Sequence, residues 1–541
     1  MVKHYSKRAY DNHVLLLGIL FAMAGSVSGG YREDESCVKE CGVTVIGRQD
    51  ILLKCDNTSL FNGSSFKNDF LFGTATSAYQ IEGSARRGFN SWDHFTHYYP
   101  DKTSGDGDLA TDSYHLYNND VDLMVNMSLN AYRFSIAWSR VLPKGKGEVN
   151  EDGVNYYLKL LNRLRQQHIT PFVTLFHWDA PQALIDEYGG FLDRRIIADY
   201  REYADLCFRR FGHLVKHWIT LNQPYTVSYK GYGTAAHAPG RCSRWQNLNC
   251  TGGNSGTEPY IVTHHQLLAH AAAVNLYREK YKPRQQGIIG TTLIDRWFTP
   301  YNESDENDVN ATKRAIDFFF GWFMEPLVRG DYPQIMRELV GDRLPHFDIS
   351  EIGSIKGTFD FVGVNYYVAQ YVRNGPDPDP DRPCVISDPR VNLTFFRGGR
   401  PIGPKAATFY YYPVGLRDIL EYIKDNYGNP PVFVTENGYD DEANLPIEKT
   451  LNDVGRISYH CSHLCFLRCA ILNGSNVNGY FAWSLLDNYE FVDGYSVRFG
   501  MNYVNFSNVA DRRPKRSASW YTQFVEGNNI KGDNNSLVQS I

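Results

Sequence analysis

Eight short apolar runs recur along the chain, separated by stretches of helical periodicity. In order they are "FLFGTATSAYQIEG" from Phe70, "AYRFSIAWSRV" from Ala131, "TPFVTLFHW" from Thr170, "VKHWITLNQP" from Val215, "GIIGTTLI" from Gly287, "FDFVGVNYY" from Phe359, "PVFVTENG" from Pro431 and "VNGYFAWSLLD" from Val477. Most are close to continuously apolar, the pattern of strands covered on both faces. Between them, "YYLKLLNRLRQQ" places Tyr157, Leu160, Leu161 and Leu164 on one helical stripe, and "HHQLLAHAAAVNLYREKY" reads the same way. Strand alternating with helix eight times predicts a single (β/α)8 TIM barrel with loop insertions over residues 70–525. A doubly wound open sheet is the competing architecture, but neither G-x-G-x-x-G after the first run nor G-x-x-x-x-G-K-[ST] is present. No linker divides the chain, and the Pro/Asp-rich "NGPDPDPDRPCVISDP" (Asn374–Pro389) reads as an insertion after the sixth strand.

The N-terminus breaks this pattern. Lys3, Lys7 and Arg8 precede the apolar "HVLLLGILFAMAG" and then "SVSGG". The run is too short to span a bilayer and has the flanks of a secretory signal, assigned to residues 1–29, in preference to a membrane anchor. Residues 30–69 follow as a disulfide-linked segment, and 526–541 form a tail without an ER-retention tetrapeptide. Ten cysteines suit an oxidising route, where disulfides are favoured over a zinc site in the Cys461, Cys465, Cys469 cluster. Sequons at Asn57, Asn62, Asn126, Asn249, Asn302, Asn310, Asn392, Asn473, Asn505 and Asn534 predict a glycosylated surface. A net charge of −5 gives no reason to expect a nucleic-acid partner. The densest basic run, "DRRPKRSAS" from Asp511, reads as a solvated loop. The high aromatic share, 14%, suits stacking on sugar rings as well as packing.

In such a barrel the reactive groups gather at the C-terminal strand ends. Those ends carry Gln80 and Glu82, Arg133, His177 and Asp179, Asn222 and Gln223, Asn365 and Tyr367, Glu436 and Asn437, then Trp483, Asp487 and Glu490. Singly, His177 reads as a core histidine, Arg133 as a structural ion pair and Asn222 as a turn cap. Their shared position at successive tips is what points to chemistry. Glu436 leaves a buried strand in "VFVTENG", at what reads as an Asn-Gly turn, and is suited to attack an anomeric carbon. Retaining glycosidases place a second carboxyl about 5–5.5 Å away, as acid and then base. At the tip of strand four, where that partner belongs, stands Gln223, which can neither give nor take a proton.

The ordered motifs "FGTATSAYQIEG", "YRFSIAWSR", "FHWDAPQ", "TLNQP", "NYY", "VTENG" and "WSLLDNYEF" run from about Phe70 to about Trp520. Together they resemble the glycoside hydrolase family 1 β-glucosidases and, within that family, the plant myrosinases, which are thioglucosidases. The family's fourth motif usually ends Asn-Glu-Pro, with the Glu as acid/base. Gln223, and Phe491 where the family often carries Trp, follow the myrosinase pattern.

The resemblance implies a retaining thioglucosidase that hydrolyses glucosinolates to glucose and a thiohydroximate-O-sulfate, which rearranges to isothiocyanates. The departing sulfur is a stable anion and needs little protonation. A poor alkoxide leaving group would instead miss general-acid help of typically about 10²–10⁴-fold, or roughly 3–5 kcal/mol. A charged Glu at this tip would also repel the sulfate, whereas an amide would not. In this reading Glu436 is the nucleophile, oriented and kept ionised by Arg133 and hydrogen-bonded by Tyr367. Gln223 and Asn222 position the sugar 2-OH and the hydrolytic water. Gln80, His177, Asn365, Trp483, Glu490 and Phe491 line the glucose site. Ascorbate is the implied cofactor, a catalytic base in place of the missing one, and no metal is required. Arg296 matches a residue that binds ascorbate and sulfate, and Lys230 stands where a second arginine is common, without its planar fork.

The same resemblance implies disulfides Cys55–Cys461 and Cys242–Cys250, Cys465 paired with Cys41 or Cys37, and Cys207 and Cys384 unpaired. A homodimer is one assembly found among relatives, and the vacuole, rather than the extracellular space, is the destination by analogy. After signal removal no membrane association is expected. Two other functions fit the motifs: an inactive glycoside-binding barrel, and an O-β-glucosidase or transglucosidase using donors with good leaving groups.

Overall fold

The computed structural model describes Cys41, residues 60–293 and residues 296–527. Residues 1–29, where a signal peptide is expected, and Cys37, Cys55, Asn57, Asn534 and the tail beyond Gly527 lie outside the described residues. Eight parallel strands close into a barrel in chain order: β1 (Leu71–Ala75), β2 (Ala131–Ser135), β3 (Thr170–Phe176), β4 (His217–Asn222), β5 (Ile288–Leu293), β6 (Phe361–Asn365), β7 (Val432–Gly438) and β8 (Val477–Trp483), with β8 pairing back onto β1. Each occupies one of the eight apolar runs. The helix Glu151–Gln166 buries Tyr157, Leu160, Leu161 and Leu164 on its barrel-facing stripe. Its acidic first turn and basic last turn suit the helix dipole.

Side chains fill the barrel. Phe172 packs edge-on against Phe433 and Phe481 at 5.0 and 4.8 Å, and Phe361 meets Phe433 at 5.2 Å. This aromatic plug occupies the interior beside the early strand positions, so the inward polar residues collect at the C-terminal ends. Two strand registers slip just there. Along β7 the pairing with β6 skips between Val434 and Glu436, and along β4 the pairing with β5 skips between Ile219 and Asn222. Such bulges re-aim a side chain, and here they immediately precede Glu436 and Gln223. Beyond β5 the chain continues as a strand, Arg296–Pro300, that pairs in parallel with Val368–Asn374, the extension of β6.

Several expectations change. Asn437 and Gly438 form no turn: both remain in β7, and Gly438 lies so close to Trp483 that a Cβ there would sit 2.3 Å from its carbonyl oxygen. The basic run is only partly solvated. Arg512 is buried against Asp120 at 2.8 Å, and Lys515 Nζ meets Asp487 at 2.7 Å with both side chains fully enclosed. The sequon asparagine Asn62 is buried, and its side chain caps the short helix Gly63–Ser65, a placement that closes it to a glycan. Cys465 is bonded to Cys41 rather than to Cys37, and Cys242 to Cys250. Cys461 and Cys469 are also disulfide-bonded, but the pairing of Cys461 with Cys55 involves a residue outside the described ones. Cys207 and Cys384 are free and buried. No described helix is long and apolar enough to cross a membrane.

Candidate active site

The site is organised around one guanidinium. Arg133 is fully buried on β2 and reaches two other strands. Its Nη1 donates to Glu436 Oε1 at 2.5 Å and to the Thr435 carbonyl at 3.2 Å, its Nη2 to Asn222 Oδ1 at 2.7 Å, and its Nε to Thr174 Oγ1 at 3.3 Å. The other Glu436 oxygen accepts from Tyr367 Oη at 2.7 Å. Burial and the Glu436 charge raise the Tyr367 phenol well above its ordinary value, so it stays a donor at any working pH. Glu436 is itself buried. The arrangement is a nearly dry carboxylate held on both oxygens.

The Asn222 amide sets the next layer. Its Oδ1 accepts from both Arg133 and Asn365 Nδ2, the latter at 3.0 Å, and Asn365 in turn accepts from Thr435 Oγ1 at 2.8 Å. The Asn222 Nδ2 must therefore donate to His177 Nε2, 3.0 Å away, which leaves the ring proton on Nδ1. Burial and the nearby Arg133 charge push the His177 pKa well below its usual value, so the ring is neutral. Across the mouth, Gln80 Nε2 lies within 3.0 Å of Asn488 Oδ1, the Tyr489 carbonyl and Glu490 Oε2, while Gln80 Oε1 accepts from Ser77. Burial, then Asp493 and Glu436, raise the Glu490 carboxyl well above the carboxylate range. His177 Nδ1 and Glu490 Oε1 are buried without a protein partner. The His177 ring lies nearly parallel to Trp483, with centroids 6.0 Å apart, and to Phe491. A cluster of polar atoms between aromatic faces, two of them still unsatisfied, is what a polyhydroxylated ring needs.

A family model described as glycosyl hydrolase family 1 matches residues 62–530. The chain belongs to glycosyl hydrolase family 1. Its similarity to curated family 1 members does not favour one activity. It is 53% identical to rice β-glucosidase 12 over 85% of this chain and 92% of the relative. It is 52% identical to myrosinase 2 of Arabidopsis thaliana over 88% of this chain and 89% of the relative. Among solved family 1 structures, a Glu-to-Gln mutant of a rice β-glucosidase in covalent complex with glucose superposes with a TM-score of 0.84 at 46% identity, covering 86% of this chain and 99% of that one. This chain is thus a glycosidase.

Not every strand-tip residue joins the family 1 site. Glu82 turns away to Arg140 at 2.6 Å and Tyr157 at 2.8 Å. Asn437 is spent on the Tyr366 carbonyl, Tyr459 and Tyr480, and Asp487 on Lys515 and Arg498. Gln223 stands at the β4 tip, buried, in the left-handed region at φ +40°, its N–H donating to the Thr292 carbonyl at 2.9 Å. Arg296 pairs in register with Val368, the residue after Tyr367. Its guanidinium lies over the Phe319 ring at 5.4 Å and donates to Gln370 Oε1 at 2.9 Å. Lys230, on the π-helical turn Val227–Gly231, is close enough to Asp493 and His237 for its charge to favour the ionised Asp493 carboxylate against the effect of burial and to disfavour protonation of His237.

Three supporting residues escaped the sequence reading. Asn488 orients Gln80, Gln370 orients Arg296, and Trp178 donates its indole N–H to the Asn222 carbonyl at 2.8 Å. Asn488 and Trp178 lie inside quoted motifs, so their position was visible, but not that their partners are a neighbouring amide and a main-chain oxygen. Apart from this site, His97, Asp106 and Asp108 bring three potential metal ligands within 4.8 Å of one another. None of them takes part in the chemistry above.

Proposed function

We propose that the chain is a retaining thioglucosidase that cleaves sulfated thioglucosides. One observation carries the reading. The nucleophile candidate Glu436 is fully dressed with donors, while the next strand end linked to it through Arg133 presents an amide, Gln223, where acid/base work would require a carboxyl. Glucose would sit between Trp483 and Phe491, its hydroxyls meeting Gln80, His177 and Glu490. Glu436 attacks the anomeric carbon, the C–S bond breaks, and the sulfur leaves as an anion that needs no proton. Tyr367 and Arg133 stabilise the carboxylate before attack and again when it is released. Water then attacks the glucosyl ester, positioned by Gln223 and by the Asn222 amide.

The second step needs a proton acceptor that this chain does not place at residue 223. The local donor set suits an anion: the guanidinium of Arg296, braced by Phe319 and Gln370, beside the Tyr367 segment, with Lys230 as a further cation. Arg296 and the Gln223 amide would hold ascorbate there, and when bound it supplies the missing base. Lys230 faces Asp493, so its pull on a sulfate is weaker than that of Arg296.

The near-equal identity to β-glucosidases favours one other reading, an O-β-glucosidase or transglucosidase acting on donors with good leaving groups. The complete Glu436–Arg133–Tyr367 set argues against an inactive binding barrel. Glucose release from sinigrin, with and without ascorbate, beside release from 4-nitrophenyl β-glucoside separates these cases. Ascorbate-stimulated hydrolysis of sinigrin is expected. Turnover of the nitrophenyl glucoside alone would replace the proposal with the second reading, and no turnover of either would favour binding alone.

A further inference from the structure

We propose that Trp178 is a positioning residue for Gln223, acting through the peptide group that joins Asn222 to Gln223. Both ends of that group are pinned. Its carbonyl oxygen accepts from Trp178 Nε1 at 2.8 Å, and its N–H donates to the Thr292 carbonyl at 2.9 Å. With the plane fixed from the loop after β3 on one side and from β5 on the other, Gln223 is held at φ +40° and ψ +64°, a left-handed conformation that residues other than glycine adopt rarely. The following Pro224 has no N–H to offer, and the Gln223 carbonyl accepts from the Thr226 N–H at 2.9 Å, so the peptide plane before residue 223 is held by these two bonds and the carbonyl after it by the next turn.

Trp178 is itself held firmly. Its ring packs against Phe491 at 4.7 Å, His177 at 5.1 Å and His237 at 5.5 Å, and its carbonyl accepts from Ser91 Oγ at 3.2 Å. An indole N–H only donates and does not titrate near neutrality, so this clamp is indifferent to pH. Rotation of the peptide plane would swing the Cα–Cβ bond of residue 223 and move the side-chain amide with it. Displacing a positioning group by about an ångström can slow the step it serves by roughly 10²-fold. Glu436 is anchored by Arg133 and Tyr367 instead, so the clamp serves the water-attack step and not the first displacement. The inference rests on the role proposed for Gln223.

The test uses the full-length protein and 2,4-dinitrophenyl β-glucoside, whose leaving group needs no acid, so both steps are read whatever the preferred aglycone. Trp178→Phe keeps a ring and removes the donor. Incorporation of benzothienylalanine at the same position keeps the indole outline, removes only the N–H, and serves if the phenylalanine variant does not fold. The expected result is a fall in kcat of about tenfold, kcat/KM changed less than threefold, and a burst of dinitrophenol. Azide should restore turnover by taking the glucosyl group from Glu436 as glucosyl azide and freeing the carboxylate. Gln223→Ala should give the same signature, and the double variant should be no slower than Gln223→Ala alone. Losses that multiply in the double variant, or kcat and kcat/KM falling together without a burst, would overturn the clamp. If Gln223→Ala leaves the second step unchanged, the role of Gln223 fails, and the clamp fails with it.

Discussion

Arg133 and Glu436 meet at 2.5 Å inside the barrel, a guanidinium from β2 against a carboxylate from β7, with side chains 1% and 5% exposed. A desolvated pair of this kind depends on geometry, because each charge is costly to bury alone. The same guanidinium also holds Thr435 and Asn222, so one planar group fixes the tips of β7 and β4 together. Arg133→Lys keeps the charge but has no fork to span the four acceptors Glu436, Thr435, Asn222 and Thr174. We expect kcat on 4-nitrophenyl β-glucoside to fall by roughly 10²-fold. A loss below threefold with normal folding would show that charge alone suffices.

Glu436 has no substitute nearby, because Glu490 is a buried carboxyl pushed toward its neutral form and bonded to Gln80. Glu436→Ala should lose at least ~10³-fold in glucose release. A 2-deoxy-2-fluoroglucoside should add its mass to the peptide containing Glu436 in the wild-type protein and leave that peptide unlabelled in the variant. Labelling of any other carboxylate would remove Glu436 as the nucleophile.

Gln223→Glu would restore a titrating group at the β4 tip. General acid–base help is worth typically about 10²–10⁴-fold where the leaving group is poor. Alkyl β-glucosides should therefore gain turnover, while sinigrin hydrolysis should fall because a carboxylate would face the sulfate. Side-by-side kcat/KM values check this, and an unchanged ratio between the two substrates would count against the amide as the specificity element.

Asp179 gives a pH-dependent term in stability. Its carboxyl is fully buried next to the Trp178 loop, with no hydrogen bond from another side chain. Burial raises it from 3.8 to about 7, with main-chain N–H groups of its own segment and the Arg87 charge opposing the shift only in part. A carboxyl raised in the folded state favours folding when protonated, so its contribution is complete below about pH 4 and is lost as pH rises toward 7. Asp179→Asn should remove that slope: relative to wild type the variant gains stability between pH 4 and pH 7. Denaturant midpoints measured at both pH values decide it, and parallel curves would mean the group does not titrate there.

The barrel was legible because strands buried on both faces leave an almost unbroken apolar signature, and all eight runs hold a barrel strand. The site was legible where function sits in side chains that meet other side chains, as with Arg133, Tyr367 and Glu436. It was hidden where contact runs through the main chain or folds back over a long separation. Trp178 acts on a carbonyl oxygen, and Glu82 reads as a strand-tip acid until Arg140, 58 residues on, claims it. Lys515 looked solvated because nothing in the sequence near it announces that Asp487 lies beneath.

The bond between Cys41 and Cys465 fastens the chain's front segment to the helix Val454–Leu472, a loop of 424 residues. Restricting so long a stretch of the unfolded polymer stabilises the native form chiefly by removing freedom elsewhere, far more than the eight-residue staple Cys242–Cys250 can. Neither sulfur bridge contributes a group to the catalytic mouth. A reductant would therefore shorten the working life of this enzyme while leaving its turnover rate intact for as long as it stayed folded.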